Sequence, residues 1–156
     1  MIFRMADEKD SEVLAGLRWD FKMEGKENDK LYDKQEFLRA YADYLEPELK
    51  NGSWSCWVAE EAGEIVSNIY IRRIRKLPKP AKLHAEYGYV SNVYTRTAYR
   101  DKGVGGQLME RVKQWASENS LEFLVLWPSK RAVPFYERKG FSQNNEVMEL
   151  LLEGFE

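Results

Sequence analysis

A mixed α/β fold, with an antiparallel meander followed by a crossover unit, is predicted by three features of the sequence. Along Glu64–Ile74, Ile65, Ser67, Ile69 and Ile71 alternate with Val66, Asn68, Tyr70 and Arg72, which suits a strand with two different faces. Val104, Leu108, Met109, Val112 and Trp115 fall on one face at helical spacing. Phe123–Trp127 is nearly all apolar, as a buried parallel strand is. Together with the flanking segments these give the order β-α-α-β-β-β-α-β-α-β, in a single domain spanning residues 1–156.

The elements follow in order. Ile2–Met5 reads as a first strand, and Asp7 or Asp10 is placed to cap a helix carrying Val13, Leu14, Leu17, Trp19 and Phe21. Met23–Lys30 is charged and holds Gly25, so it reads as a loop or frayed helix. A second helix is expected over Lys34–Leu45, with Phe37, Leu38, Tyr41 and Leu45 on one face and Pro47, Asn51 and Gly52 ending the region. Trp54–Ala59 is the next strand, Glu60–Gly63 a hairpin turn, and Glu64–Ile74 the return. Pro78 and Pro80 break the chain before a strand over Leu83–Tyr94. A helix over Val104–Ser117 leads to the apolar strand Phe123–Trp127. A short helix near Arg131–Lys139 stops at Gly140, and a last strand pair is expected at Phe141–Ser142 and Val147–Leu152.

Composition excludes several classes. At 156 residues the chain has length for a real core, and 44% hydrophobic with 13% aromatic residues argues against disorder. A net charge of −2 gives no general basic surface, which disfavours nucleic acid as a partner. The exception is a cluster of Arg72, Arg73, Arg75, Lys76, Lys79 and Lys82: a solvated strand end, or a site for an acidic partner or a nucleotide phosphate. One cysteine, Cys56, allows no internal disulfide and suits a reducing compartment. With one histidine beside it there is no zinc set, and no acidic calcium loop occurs, so no metal is expected. No apolar run is long enough for a membrane span and MIFRMADEKD lacks a signal-peptide core, so the expectation is a soluble cytoplasmic protein.

The chemistry concentrates at Ser91–Met109. A β-rich run enters a basic glycine turn, Arg100-Asp101-Lys102-Gly103-Val104-Gly105-Gly106, and a helix follows at once. The first N–H groups of a helix lack internal partners and sit at the positive end of its dipole, so they accept an anion readily. Glycine lets a phosphate approach the backbone. The turn therefore reads as a pyrophosphate cradle. It is neither a Walker A loop, since no Gly-Lys-Ser/Thr run exists, nor a Rossmann fingerprint, since Leu108 stands at the third glycine position.

What does fit is Arg-x-x-Gly-x-Gly, which resembles the acetyl-CoA loop of the GNAT superfamily of N-acetyltransferases. The segment Trp127–Phe141, WPSKRAVPFYERKGF, resembles that family's closing motif, and one helix and one strand join the two. The Ile2–Leu17 opening and the Trp54–Ile71 hairpin are also family-like, so the resemblance covers nearly the full chain. It implies the GNAT fold: a mostly antiparallel central sheet with a splayed parallel pair, flanked by about four helices. It implies acetyl-CoA as co-substrate and a small-molecule primary amine as acceptor, attacked directly. Val93, Tyr94 and Thr95 match the strand edge that pairs with the pantetheine arm, and Arg100 to Gly106 match the pyrophosphate turn. Ser129 stands where an Asn often touches the cofactor. Tyr136 matches the general-acid tyrosine near the sulfur. A homodimer through sheet edges or the last strands is a further implication. The chain departs from the pattern at Asp101, where a second glycine is frequent, at Thr97, which replaces a proline, and at Ser91-Asn92, where many members carry an acidic residue.

Acetyl transfer needs a neutral amine, an oxyanion donor and a proton for the thiolate. A phenol with pKa about 10 starts protonated at neutral pH, which suits Tyr136 as acid. Backbone N–H groups near Val93–Tyr94 can polarise the carbonyl. Glu86, on the strand entering the turn, is the first carboxylate to test as base. His84 and a water chain on Tyr87, Tyr89 or Ser91 are alternatives. Cys56, between Trp54 and Trp57, reads as a structural thiol. Trp19, Phe21 and Tyr32 are placed to wall an acceptor pocket, and Asp20, Glu24 and Glu27 to favour a cationic amine. The alternative to an enzyme is a domain that binds an acyl-CoA without turnover.

Overall fold

The computed structural model describes residues 1–25 and 31–154. Its elements are β1 (Ile2–Met5), α1 (Ser11–Glu24), α2 (Lys34–Asn51), β2 (Trp54–Glu61), β3 (Glu64–Arg75), β4 (Glu86–Thr95), α3 (Val104–Glu118), β5 (Leu124–Val125) and α4 (Val133–Arg138). One five-stranded sheet runs in the order β1-β2-β3-β4-β5. Its first three pairings are antiparallel and β4–β5 is parallel, as the meander and crossover predict. No helix among the described residues is long and apolar enough to cross a membrane.

Each face of the sheet buries its own helices. On one side Leu14 and Leu17 of α1 and Leu45 of α2 pack on Cys56, Val58, Tyr70 and Tyr94. On the other, Leu108, Met109 and Val112 of α3 and Tyr136 of α4 pack on Ile69, Ile71 and Val90. Cys56 is fully buried, and burial pushes its thiol well up. That is the inert thiol expected of its sequence position.

Asp10 stands at the N-cap position of α1 but its side chain makes no capping hydrogen bond to that helix, and the capping falls one turn earlier. Asp7 caps the 3-10 turn Glu8–Asp10 in a reciprocal capping box with Asp10. The Asp10 carboxylate also takes two hydrogen bonds from Arg4, at 2.9 and 3.0 Å. Arg4 reaches Glu60 at 2.8 Å as well, which ties the first turn to β2.

Five expectations need correction. Helix α2 does not stop at Leu45 but runs through Pro47 to Asn51, with Gly52 left-handed at its end. Pro47 forfeits one helical hydrogen bond, but Leu49, one turn beyond Leu45, packs on the same core and offsets the loss. The β2–β3 turn is tighter than expected: Ala62 and Gly63, both at positive φ, close it alone. Strand β4 begins at Glu86 instead of Leu83, because Lys79 and Lys82 exchange backbone hydrogen bonds in a turn just before it. The apolar run Phe123–Trp127 pairs only at Leu124 and Val125, and its end residues are exposed. Phe123 instead stacks on Tyr87 at 4.7 Å, and Trp127 meets Tyr89 edge-on at 5.4 Å. The expected strand pair after Phe141 does not form among the described residues, and Val147, Met148, Leu150, Leu151 and Leu152 are exposed. Apolar β-formers make a strand only where an edge is in register to receive them.

Candidate active site

The site arises where two strands part. β4 and β5 pair only through Gly88↔Leu124 and Tyr89↔Val125. Gly88 is required there, since a Cβ would lie 2.6 Å from Leu124 Cδ2 and 3.1 Å from Ile71 Cγ2. Beyond Tyr89 the neighbouring chain leaves the sheet, and the edge of β4 opens onto a cleft of about 630 Å³. Tyr89–Thr95 form one wall and Leu126–Ser129 with Phe135 and Tyr136 the other.

A bulge lies in the open part of β4. Asn68 pairs with Tyr94 but Tyr70 pairs with Ser91, so Asn92 and Val93 together oppose Ile69. Asn92 takes the left-handed conformation, φ 51°. Two consecutive side chains, Ser91 and Asn92, consequently point to the α1/α2 side, while Val90 and Val93 pack on the α3/α4 side. Asn68 Nδ2 donates to the Asn92 carbonyl at 2.6 Å, and Arg18 donates to Asn92 Oδ1 at 3.0 Å. These partners fix both amides, since a flip would set donor against donor or acceptor against acceptor. Among the described residues Asn92 Nδ2 and Asn68 Oδ1 are buried without a partner, polar capacity held in reserve at the bulge.

The glycine turn leads into α3 at the mouth of the cleft. Asp101 and Gly103 both have positive φ, 58° and 78°. Asp101, Lys102 and Gly103 are exposed. Gly103 caps α3 with no side-chain hydrogen bond, and the first internal pairing is from the Gln107 N–H to the Gly103 carbonyl, so the amides of Val104, Gly105 and Gly106 are uncapped. A Cβ on Gly105 would lie 3.3 Å from Thr95 Oγ1, and one on Gly106 would lie 3.1 Å from the Lys139 ammonium. Glycine thus lets the turn press on β4, and Lys139, whose ammonium also pairs with Glu110 at 3.5 Å, brings positive charge to the helix start. Lys102 lies over Tyr99 at 5.8 Å.

Arg100 is engaged elsewhere. Its guanidinium binds both Glu24 oxygens at 2.7 Å and the Thr95 carbonyl at 2.8 Å, and covers the Tyr94 ring. Tyr94 donates to Glu24 at 3.0 Å. Burial, then the hydrogen bond to Glu24 and its charge, pushes the Tyr94 phenol up to about 12. At Glu24 burial pulls upward, but the Arg100 and Tyr94 hydrogen bonds prevail and hold the carboxyl below its ordinary range. This cluster pins the end of α1 to β4.

Tyr136 lies on α4, buried against Phe135 and Phe141 and lining the cleft. Burial raises its pKa, which keeps the phenol protonated at neutral pH. Ser129, at the far wall, is exposed and accepts from the Ala132 N–H at 3.3 Å. Glu86 is not brought to the cleft. It sits at the opposite end of β4, roughly 23 Å along the strand from Val93, paired with Arg73 at 2.8 and 3.1 Å. His84 is exposed in the preceding loop. Of the three residues expected to wall an acceptor pocket, Phe21 lines the cleft, Trp19 packs on Phe37, and Tyr32 is exposed. Asp20 pairs with Arg96 at 3.3 Å, and Glu27 lies outside the described residues, as does most of the Met23–Lys30 segment. Much of the basic cluster is matched: Arg72 by Glu48, Arg73 by Glu86, Lys76 and Lys82 by Glu122.

Sequence reasoning missed Arg18, Asn68 and Lys139. Arg18 and Asn68 meet Asn92 only because of the bulge, and Lys139 meets Gly106 only through the packing of α4 on α3. None of these leaves a mark in local spacing.

A strand pair that splays beside a bulged strand and an uncapped glycine-turn helix is the architecture of an acyl-CoA transferase domain. The acetyltransferase (GNAT) domain model matches residues 20–150, and the chain belongs to that family. No curated protein matches the chain in sequence. Among solved structures, it is similar to a predicted acetyltransferase with acetyl-CoA from Clostridium acetobutylicum, at 27% identity and TM-score 0.78, with 96% of this chain and 95% of that one covered. It is also similar to a GCN5-related N-acetyltransferase from Ralstonia eutropha, at 27% identity and TM-score 0.75, covering 96% and 97%. A ribosomal-protein-alanine N-acetyltransferase from Brucella melitensis, at 17% identity and TM-score 0.69 over 98% and 99%, shares the fold.

Proposed function

We propose that this chain transfers the acetyl group of acetyl-CoA to a primary amine of a small molecule by direct attack, with Tyr136 as general acid. The observation that carries this reading is the open edge of β4, bulged at Asn92–Val93, facing Tyr136 across one cleft. The Clostridium relative with acetyl-CoA supports the choice of donor.

The residues fit that donor. The uncapped amides of Val104, Gly105 and Gly106, with Lys102 and Lys139 beside them, suit a diphosphate. The Asp101 carboxylate, on an exposed turn, is free to point to solvent. The edge of Val93–Thr95 that β5 leaves open, with the Thr95 carbonyl held by Arg100, offers backbone groups to the amide-bearing pantetheine arm, and the bulge offers N–H groups to the thioester oxygen. The amine nitrogen forms a bond to the carbonyl carbon as the C–S bond breaks. The Tyr136 phenol gives its proton to the leaving thiolate. The amine proton departs through water held at Tyr89 and Ser91, which line the cleft, since Glu86 is remote and Glu24 is committed to Arg100.

Thiol release from acetyl-CoA, measured against a panel of amines with mass detection of the acetylated product, tests this. Product with at least one amine, and loss of turnover in Tyr136→Phe, supports a transferase. Saturable CoA binding with no product from any amine would leave a non-catalytic acyl-CoA-binding module.

A further inference from the structure

A second, smaller cavity of about 160 Å³ adjoins the cleft. The two share Arg18, Ser91 and Asn92, so they meet at the bulge. The rest of the smaller wall is Tyr41, Tyr44 and Leu45 of α2, Trp54 of β2 and Tyr70 of β3. Its size compares with the cavity of about 150 Å³ that takes benzene in a protein core.

The charge in this cavity has one sign. Arg18 is its one charged group, and among the described residues it has no carboxylate partner. Its single hydrogen bond goes to a neutral amide, which leaves most of its five donors for a bidentate anion. The carboxylates of α1 that could have drawn a cation are spent: Asp20 on Arg96, Glu24 on Arg100. An aromatic cage for a cation is also closed off. Arg72 already covers Trp54 at 5.5 Å, so that ring has its cation. A polyamine would therefore meet a like charge and no counter-ion.

We propose that the acceptor is an amine carrying a carboxylate next to its nitrogen and an apolar group of about benzene size, as in an apolar α-amino acid. Arg18 takes the carboxylate, and the Tyr41–Tyr44–Trp54–Tyr70 cavity takes the apolar group. The nitrogen then lies at Ser91–Asn92, beside the open strand edge. This assignment rests on the transferase reading for its consequence, though the binding it describes does not require turnover.

The test compares phenylalanine with phenethylamine, leucine with isoamylamine, and both sets with spermidine. Thiol release is measured for each, and calorimetry measures each amine binding to the CoA-saturated protein. The expected result is a preference for phenylalanine over phenethylamine of about tenfold or more in kcat/KM or in Kd. Arg18→Met should abolish that preference through the acceptor KM while the acetyl-CoA KM changes little, and Arg18→Lys should restore part of it. If phenethylamine or spermidine is the better substrate, or if neither phenylalanine nor leucine binds, the proposal is overturned. The wild-type comparison decides this even if the variants fold poorly. If phenylalanine binds selectively but no amine is acetylated, the transferase reading fails and the acceptor assignment stands.

Discussion

The two ends of β4 use one strand in opposite ways. Near Glu86–Tyr89 both edges are paired, Gly88 admits Leu124 at close range, and Glu86 is locked to Arg73. Near Ser91–Thr95 one edge is open, the register slips, and Asn92 and Asn68 keep unpaired polar atoms. Saturated backbone makes scaffold. The same backbone, once its neighbour strand departs, becomes a surface with hydrogen bonds to give.

The sharpest way to break this comparison is at the open end. Tyr136→Phe should lower kcat about 100-fold or more, with acetyl-CoA KM within about threefold of wild type. Steady-state thiol release checks it. A variant with normal kcat would strip the open end of its acid.

At the closed end the expected effect is on stability. Gly88→Val forces a Cβ into Leu124 and should cost about 2 kcal/mol, or about 4–8 °C in Tm for a chain of this size. Calorimetric melting reads this directly. An unchanged Tm would mean that β5 is not seated where the parallel pairing puts it.

The Arg4–Asp10–Glu60 network is scaffold far from the cleft and sharpens the contrast. The Asp10 carboxyl is held below its ordinary range mainly by the Arg4 hydrogen bond, against the opposing pull of burial. A depressed folded-state pKa stabilises above the unfolded value of about 3.9 and ceases to do so as pH falls through the folded value. Asp10→Asn should thus lose about 1–2 kcal/mol at pH 7 in urea unfolding and converge on wild type in strong acid, with kcat unaltered.

The smallest effect is expected at Glu86. Glu86→Gln should change kcat less than about twofold and stability by about 1 kcal/mol or less, as for a partly exposed ion pair. A large kcat loss would return Glu86 to the list of bases and contradict the distance along the strand.

Much of the fold was legible because it rests on periodicity. The alternation of β3 and the stripe of α3 each follow from side-chain geometry within one element. The glycine turn was legible because positive φ and uncapped amides are local needs. The bulge was not, since a slip between Asn68 and Tyr70 depends on two strands at once. With it went Arg18 and Asn68, whose roles exist only around Asn92. Glu86 shows the converse: proximity in sequence to the turn implied proximity to the cleft, but an extended strand carries a residue away at over 3 Å per position. Val147–Leu152 had strand composition but no edge to join.

In the proposed reaction the donor's sulfur lies between the bulge of β4 and Tyr136 while its diphosphate rests on the start of α3. A crystal structure with a non-hydrolysable acetyl-CoA analogue tests this most directly. The expected result is the diphosphate against the amides of Val104, Gly105 and Gly106, with the atom replacing sulfur within hydrogen-bond reach of the Tyr136 hydroxyl. An analogue bound with its diphosphate elsewhere, or with that atom out of reach of Tyr136, would contradict it.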